Sequence, residues 1–281
     1  MPESIEPTIT VQINERHEVL AAHTTLFAVR DRIKPDAEVV IRNGVPQRSD
    51  GPLADGDRVV LIRYGEQPNA EQMEILMMAR HGPGVHQRVK TASVGIAGCG
   101  GLGSAVAIAL ARTGVGRLRL VDFDVVEPSN LNRQQYFVDQ IGQVKVEALA
   151  ANVGRMNPFV TVEPIQRRLS LDNIMETLRG CDVVAECLDE AEMKRRLTEI
   201  MRAELPEVPL VTVSGIAGYG SANAIRTRRA FGHVYVIGDG ISDSSEGTGL
   251  MAPRVAVAAG HQANLVLRLI LGEPFEEEMG A

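Results

Sequence analysis

The sequence predicts an α/β protein: a doubly wound, mainly parallel sheet with a more antiparallel C-terminal part, preceded by a small β-rich domain. Three observations carry this. From residue 93 to residue 201, short apolar runs alternate with runs of helical periodicity. A glycine-rich turn, Gly98-Cys-Gly-Gly-Leu-Gly103, joins the first of these strands to its helix. Residues 8–63 hold three β-patterned runs and one short helical run, separated by turn signals.

In the small domain, Thr8 to Ile13 alternates as a strand and Thr25 to Ile33 suits a short helix. Val39 to Arg42 is a strand ending at Asn43-Gly44, and the turn Leu53-Ala-Asp-Gly-Asp57 leads to a strand from Arg58 to Arg63. The domain boundary falls after Glu66, giving domains 1–66 and 67–281. Glu71 to Arg80, rich in methionine, has apolar residues at helical spacing, which fits core packing, and Val85 to Lys90 reads as a short turn.

In the large domain, Val94, Ile96 and Ala97 form a short buried strand, Gly98, Gly100 and Gly103 supply G-x-G-x-x-G, and Ser104 to Arg112 is an apolar helix stopped by Gly114. Glycine turns also serve packing alone. A strand before and a helix after make this one a phosphate-binding βαβ unit of the Rossmann kind, with backbone N–H groups and a helix N-terminus facing the anion. Asp122 ends the second strand close to the roughly 20-residue spacing of a carboxylate that holds a ribose hydroxyl. Helices are expected at Val144–Met156, Leu171–Leu178, Glu190–Met201 and Ala252–Leu271. Strands are expected at Val160–Ile165, Asp182–Cys187, Pro209–Val213, Ala222–Arg226 and His233–Ile237. Gly238 to Gly249, rich in Gly, Ser and Asp, suits a lid or crossover segment.

Composition narrows the function. A chain of 281 residues that is 44% hydrophobic buries a substantial core, and a formal charge of −7 from scattered acids and a Glu276-Glu277-Glu278 tail argues against a nucleic-acid surface. No signal peptide opens the chain and no 18-residue apolar run occurs, so no membrane and a cytoplasmic setting are expected. Cys99, Cys181 and Cys187 form no C-x-x-C pair, so the compartment reads as reducing and no zinc is expected. Cys99 reads as a small filler among glycines.

Cations then discriminate between chemistries, because an enzyme that attacks a nucleoside triphosphate must neutralise several phosphate charges whereas a dehydrogenase needs few. Arg133 and Lys145, just beyond Asp122 and Asp124, can point back over the loop, the first as a bidentate clamp and the second as a point charge. Asp189, at the end of the fourth strand, is placed to hold Mg²⁺ with the phosphates; as a bland alternative it caps the following helix.

The small domain, through Asn43-Gly44, Pro46, Leu53, Asp55-Gly56-Asp57, Val59 and Leu61, resembles a ubiquitin-like β-grasp, in particular the ThiS sulfur carriers. Such carriers end in a free Gly-Gly, but here Tyr64-Gly65-Glu66-Gln67 runs on, so the fused domain lacks the reacting carboxylate and reads as a docking or dimer-forming module. From about residue 75 to 272 the chain resembles the ubiquitin-activating superfamily, within it the ThiF adenylyltransferases. The residues that carry this are the glycine loop, Val121-Asp122-Phe-Asp124, Asn130-Leu-Asn-Arg133-Gln134, Gly142-x-x-Lys145, Leu188-Asp189 and Gly249-Leu-Met-Ala-Pro-Arg254.

The resemblance implies ATP- and magnesium-dependent adenylation of the C-terminal glycine of a ThiS-like carrier for sulfur loading in thiamin biosynthesis. Gly98, Gly100, Gly101, Gly103, Asp122, Asp124, Asn130 and Gln134 would bind the nucleotide, Asp122 at its ribose. Asn130, Arg133 and Lys145 would hold phosphates, and Asp189 the magnesium ion. A homodimer is implied, with Arg80 as the nearest candidate for an arginine that reaches the neighbouring protomer's site. The chain lacks the two C-x-x-C zinc pairs of many relatives and any cysteine in 238–249, where relatives that bond covalently to the carrier place one. The alternatives are an NAD-dependent oxidoreductase, which leaves Arg133, Lys145 and Asp189 without a role, a non-catalytic binding module, and adenylation of another carrier or of tRNA.

Overall fold

The computed structural model, described over residues 7–14, 16–67, 69–81, 83–243, 247 and 249–275, divides into two compact units, Met1–Gln87 and Arg88–Ala281. The first begins with a hairpin: β1 (Thr8–Ile13) pairs antiparallel with β2 (Arg16–Ala21), a strand absent from the sequence expectation. Only Leu20 of β2 is fully buried, so its sequence carries little apolar alternation. Helix α1 (Leu26–Ile33) starts where the Thr25 hydroxyl accepts the Ala28 N–H, and it buries Leu26 and Val29. β3 (Val39–Arg42), β4 (Val45–Pro46) and β5 (Arg58–Ile62) complete a sheet of order β2-β1-β5-β3-β4, with β1 and β5 parallel at its centre.

β5 is buried on both faces, which its period-2 side chains resolve. Val59 and Leu61 join Val11, Leu26 and Val29 in one cluster, while Val60 and Ile62 join Ile41 and Ile75 of α2 (Ala70–His81) in another. Leu76, Met78 and Ala79 of the Met-rich helix pack against that second cluster. The first compact unit runs through α2 to Gln87.

The Asn-Gly and Asp-Gly-Asp turns are locked together. Asn43 at φ +52° and Gly44 at φ +77° make the tight β3–β4 turn. Asn43 Oδ1 accepts the Arg58 N–H at 2.9 Å, and its Nδ2 donates to Asp57 at 2.8 Å. Buried Asp57 also accepts the Ala54 N–H and the Arg42 guanidinium, both at 2.7 Å. Burial raises the pKa of Asp57, but these donors outweigh it and hold the carboxyl below its ordinary value.

α3 (Pro83–Thr91), a full helix where a short turn was expected, runs across the division at Gln87; it carries few apolar residues, and Val89 is the one that enters the core of the second unit. Then follow β6 (Ser93–Ala97), α4 (Gly101–Thr113), β7 (Arg117–Asp122), α5 (Lys145–Met156), β8 (Thr161–Gln166), α6 (Ile174–Leu178) and β9 (Val183–Glu186). α7 (Ala191–Glu204), β10 (Leu210–Val213), β11 (Arg226–Phe231), β12 (Val234–Gly238) and α8 (Ala252–Ile270) complete it. The sheet order is β11-β12-β10-β9-β6-β7-β8, parallel throughout except at the β11–β12 edge, so the antiparallel part is confined there. The strand expected at Ala222–Arg226 begins only at Arg226, because the Ser221 hydroxyl accepts the Asn223 N–H and starts a 3₁₀ turn. No helix among the described residues is long and apolar enough to cross a membrane.

Asp57→Ala removes the acceptor of three donors and should destabilise the first unit by about 1–3 kcal/mol, read by hydrogen exchange across β5. Because the folded pKa is depressed, this contribution is present above the unfolded value of about 3.9 and is lost as pH falls through the lower folded value. The gap between wild type and variant should therefore close on acidification.

Candidate functional site

At the carboxyl ends of β6, β7, β9 and β10, where the strand order reverses around β6, the second unit opens into a cleft of about 610 Å³. Such switch points are where open α/β sheets bind ligands, and the volume suits a small molecule. Gly98, Gly100, Gly101, Asp122, Asp124, Arg133, Gln134, Lys145 and Asp189 all line it.

Sterics decide the glycine loop. Gly98 sits at φ +96°, where a Cβ would lie 2.7 Å from the Cys187 carbonyl oxygen, and a Cβ on Gly103 would lie 1.8 Å from the Gly98 oxygen. Gly103 thus seats α4 against the loop and is not a cleft-wall residue, whereas Gly100 and Gly101 present backbone to the cleft. Hydrogen bonds fix the rest. Asp122 accepts the Cys99 N–H at 2.7 Å and the Asp124 N–H at 2.9 Å; Tyr136 donates to the Cys99 carbonyl at 2.7 Å. Ser104 donates to the Gly100 carbonyl at 2.7 Å and accepts the Gln135 N–H at 3.1 Å. Half-buried Asp122 keeps lone pairs for a ligand beyond these two bonds.

Lys145 opens α5, 8% exposed, with its ammonium on Asp124 at 2.9 Å. Arg133 donates through one nitrogen to Asn132 at 2.8 Å, while its buried Nε and the buried Oε1 of Gln134 have no partner among the described residues. Both residues line the cleft. Asn130 is placed elsewhere: its carboxamide accepts the Glu127 N–H at 3.0 Å and caps the 3₁₀ turn, outside the cleft lining. Arg80 lies on α2, in the first unit. Asp189 is exposed at the tip of β9 and makes no hydrogen bond or ion pair among the described residues; the cap position of α7 is Glu190, itself without a side-chain bond.

Three cations were missing from the sequence reading. Arg167 and Arg168 follow β8 into the cleft wall, where the Arg168 guanidinium lies 3.7 Å over the Phe123 ring. Lys194, on α7, pairs at 3.3 Å with Glu186, which is wholly buried at the end of β9. Burial raises the Glu186 pKa, against Lys194, the Thr212 hydroxyl and the Leu188 N–H. The position of Arg167 and Arg168 just past a parallel strand was the available signal.

Among the described residues no three His, Cys, Asp or Glu side chains converge to cage an ion; the exposed Asp189 carboxylate on the cleft wall fits a Mg²⁺ ion that takes its other ligands from a bound molecule. The cysteines do not fit a nucleophile's part: all three are buried, and burial pushes the thiols up.

The far wall ends in an anchored segment. Asp239 accepts the Ile241 and Ser242 N–H groups at 2.8 and 2.9 Å and pairs with the buried Arg254 of α8 at 2.5 Å. That ion pair holds the start of the 238–249 segment against α8 and against Gly215, where a Cβ would come within 2.2 Å of Asp239.

Fold and cleft together define a Rossmann-like nucleotide-fold protein whose site lies at the carboxyl edge of a parallel sheet. The ThiF family model matches residues 73–280 and a ThiS-like ubiquitin model matches residues 9–65: the chain belongs to the ThiF family and carries a ThiS-like ubiquitin domain ahead of it. It is 34% identical over 216 residues to the mouse adenylyltransferase and sulfurtransferase MOCS3, covering 76% of this chain but 44% of that protein. The chain thus spans less than half the length of that relative. To the molybdopterin-synthase adenylyltransferase of Salmonella typhimurium it is 32% identical over 197 residues, 67% of this chain and 77% of that one. The E. coli tRNA N6-threonylcarbamoyladenosine dehydratase TcdA, solved in complex with ATP, shares the fold with a TM-score of 0.64 at 23% identity, over 70% of this chain and 92% of that one.

At pH 8 a maleimide should label none of the three cysteines in the native chain while labelling all three in guanidinium, as counted by mass spectrometry. Rapid native labelling of Cys99 or Cys187 would contradict the buried, protonated thiols.

Proposed function

We propose that this protein adenylates the C-terminal glycine of a separate ThiS-like sulfur carrier, using ATP and Mg²⁺. The observation that carries the reading is the charge set in the cleft with the glycine loop: the cations Arg133 and Lys145 and the exposed carboxylate of Asp189. A dinucleotide needs the loop and Asp122 but gives these three no work; a triphosphate uses them all.

The chemistry follows from charge. A carboxylate oxygen of the carrier attacks the α-phosphorus, the bond to the bridging oxygen of the β-phosphate breaks, and pyrophosphate leaves with that electron pair, giving an acyl-adenylate. The nucleophile is already an anion, so no enzyme base is required, and catalysis is positioning plus charge stabilisation. The free N–H groups of Gly100 and Gly101 and the N-terminus of α4 face the phosphates, and Asp122 receives a ribose hydroxyl. Lys145 exchanges Asp124 for a phosphate oxygen, and Arg133 clamps another. Asp189, with phosphate oxygens, would hold Mg²⁺, which would supply further charge neutralisation.

The fused β-grasp is not the substrate in this reading: Gly65 continues into Glu66, which pairs with Lys34, and offers no carboxylate. Thiamin biosynthesis, a homodimer and a cytoplasmic setting belong to the same proposal. The proteins this chain is similar to are named for different targets, molybdopterin synthase in one and tRNA in another, so the pathway is to be read from the carrier that supports exchange.

The chain alone should show negligible ATP–pyrophosphate exchange; a carrier ending in Gly-Gly should switch it on, and the same carrier without its last glycine should not. Exchange without a carrier would contradict the proposal. Lys145→Ala and Arg133→Ala should each lower the exchange rate by about 2–4 kcal/mol of transition-state stabilisation. An unchanged rate removes that residue from the mechanism.

A further inference from the structure

Three donors from three places converge on the buried Glu186 carboxylate. Oε1 accepts the Leu188 N–H at 2.6 Å; Oε2 accepts the Thr212 hydroxyl of β10 and faces the Lys194 ammonium of α7 at 3.3 Å. Lys194 also donates to the Val213 carbonyl at 2.9 Å. One carboxylate thus ties the tip of β9, the end of β10 and the first turns of α7 together, and a carboxylate with no exposure needs that ion pair to remain charged.

Asp189 lies between the two anchors, one residue after Leu188 and five before Lys194. Its own side chain has no partner among the described residues, so the direction of its carboxylate is set by the turn that carries it. We propose that Lys194, acting through Glu186, is the positioning residue for Asp189: it fixes the turn from which that carboxylate meets the magnesium ion of a bound nucleotide. The proposal rests on the nucleotide reading above. Lys194 lines the cleft, yet its charge is matched by Glu186 and its ammonium already serves two acceptors, which suits a brace better than a phosphate clamp. Without the ammonium, Glu186 takes up a proton or turns away, Leu188 loses a charged acceptor, and the Asp189 turn is released.

The test follows the melting temperature of the full chain at fixed ATP over a Mg²⁺ titration, in wild type, Lys194→Met and Lys194→Arg. ATP with Mg²⁺ must first stabilise wild type; no stabilisation there overturns the nucleotide reading before any variant is compared. Given it, the Mg²⁺ midpoint should rise about tenfold in Lys194→Met, the scale seen when a hydrogen-bond partner behind a metal ligand is removed, and return to within about twofold of wild type in Lys194→Arg. ATP affinity without Mg²⁺ should not change. An unchanged midpoint in Lys194→Met, whatever its loss of ligand-free stability, overturns the proposal and leaves the pair a support of the fold. Equal weakening of ATP with and without Mg²⁺ overturns it as well, making Lys194 a nucleotide contact. If Lys194→Met does not fold, Thr212→Val takes its place: a smaller upward shift is expected, and an unshifted midpoint is the overturning result.

Discussion

The second unit is organised around the close approach of the glycine loop to the tip of β9. Gly98 has no room for a side chain because the Cys187 carbonyl oxygen occupies it, and Gly103 has none because the Gly98 oxygen does. That double contact brings β6, α4 and β9 to one point, and Asp122 secures it from β7 by accepting the Cys99 N–H. The loop is therefore preorganised: its geometry is fixed by backbone packing and by one carboxylate before any ligand arrives. Preorganised backbone donors in a partly closed cleft cost little reorganisation when an anion binds, which is where such sites gain their strength.

Charge placement follows from that frame. Much of the charge in the cleft comes from the ends of parallel strands or from the helices after them: Asp122 and Asp124 past β7, Lys145 on α5, Arg167 and Arg168 past β8, Asp189 past β9 and Lys194 on α7. Three of the cations are paired with acids, Lys145 with Asp124, Arg167 with Glu176 and Lys194 with Glu186, and the first and last of these pairs differ in kind. Asp124 is about half exposed, so a phosphate can take its place on Lys145. Glu186 is wholly buried, so the Lys194 pair holds the wall itself. The same contact type thus serves binding in one place and architecture in another, and burial separates the two.

The glycine loop, the order of the βαβ units and most of the cleft were legible in the sequence because each rests on local rules: a positive φ, a strand-to-helix turn, a carboxylate at a strand end. What was missed rests on tertiary contact. β2 has one buried side chain and no apolar alternation, so only its ladder with β1 makes it a strand. That Ile75 of α2 joins Ile41, Val60 and Ile62 in one cluster rests on packing that no local pattern announces. The bond from the Glu127 N–H to the Asn130 carboxamide is likewise a contact that no spacing in the sequence announces. Arg167, Arg168 and Lys194 look like solvated surface cations along the chain, and only the sheet's closing order turns them toward the cleft.

The central claim is that this cleft is built for a nucleoside triphosphate with its metal rather than for a dinucleotide. Isothermal titration of the full chain with ATP–Mg²⁺ and, separately, with NAD tests it most directly. The account predicts saturable binding of ATP–Mg²⁺ that Lys145→Ala weakens, and no binding of NAD over the same range. Saturable binding of NAD with none of ATP–Mg²⁺ would contradict it.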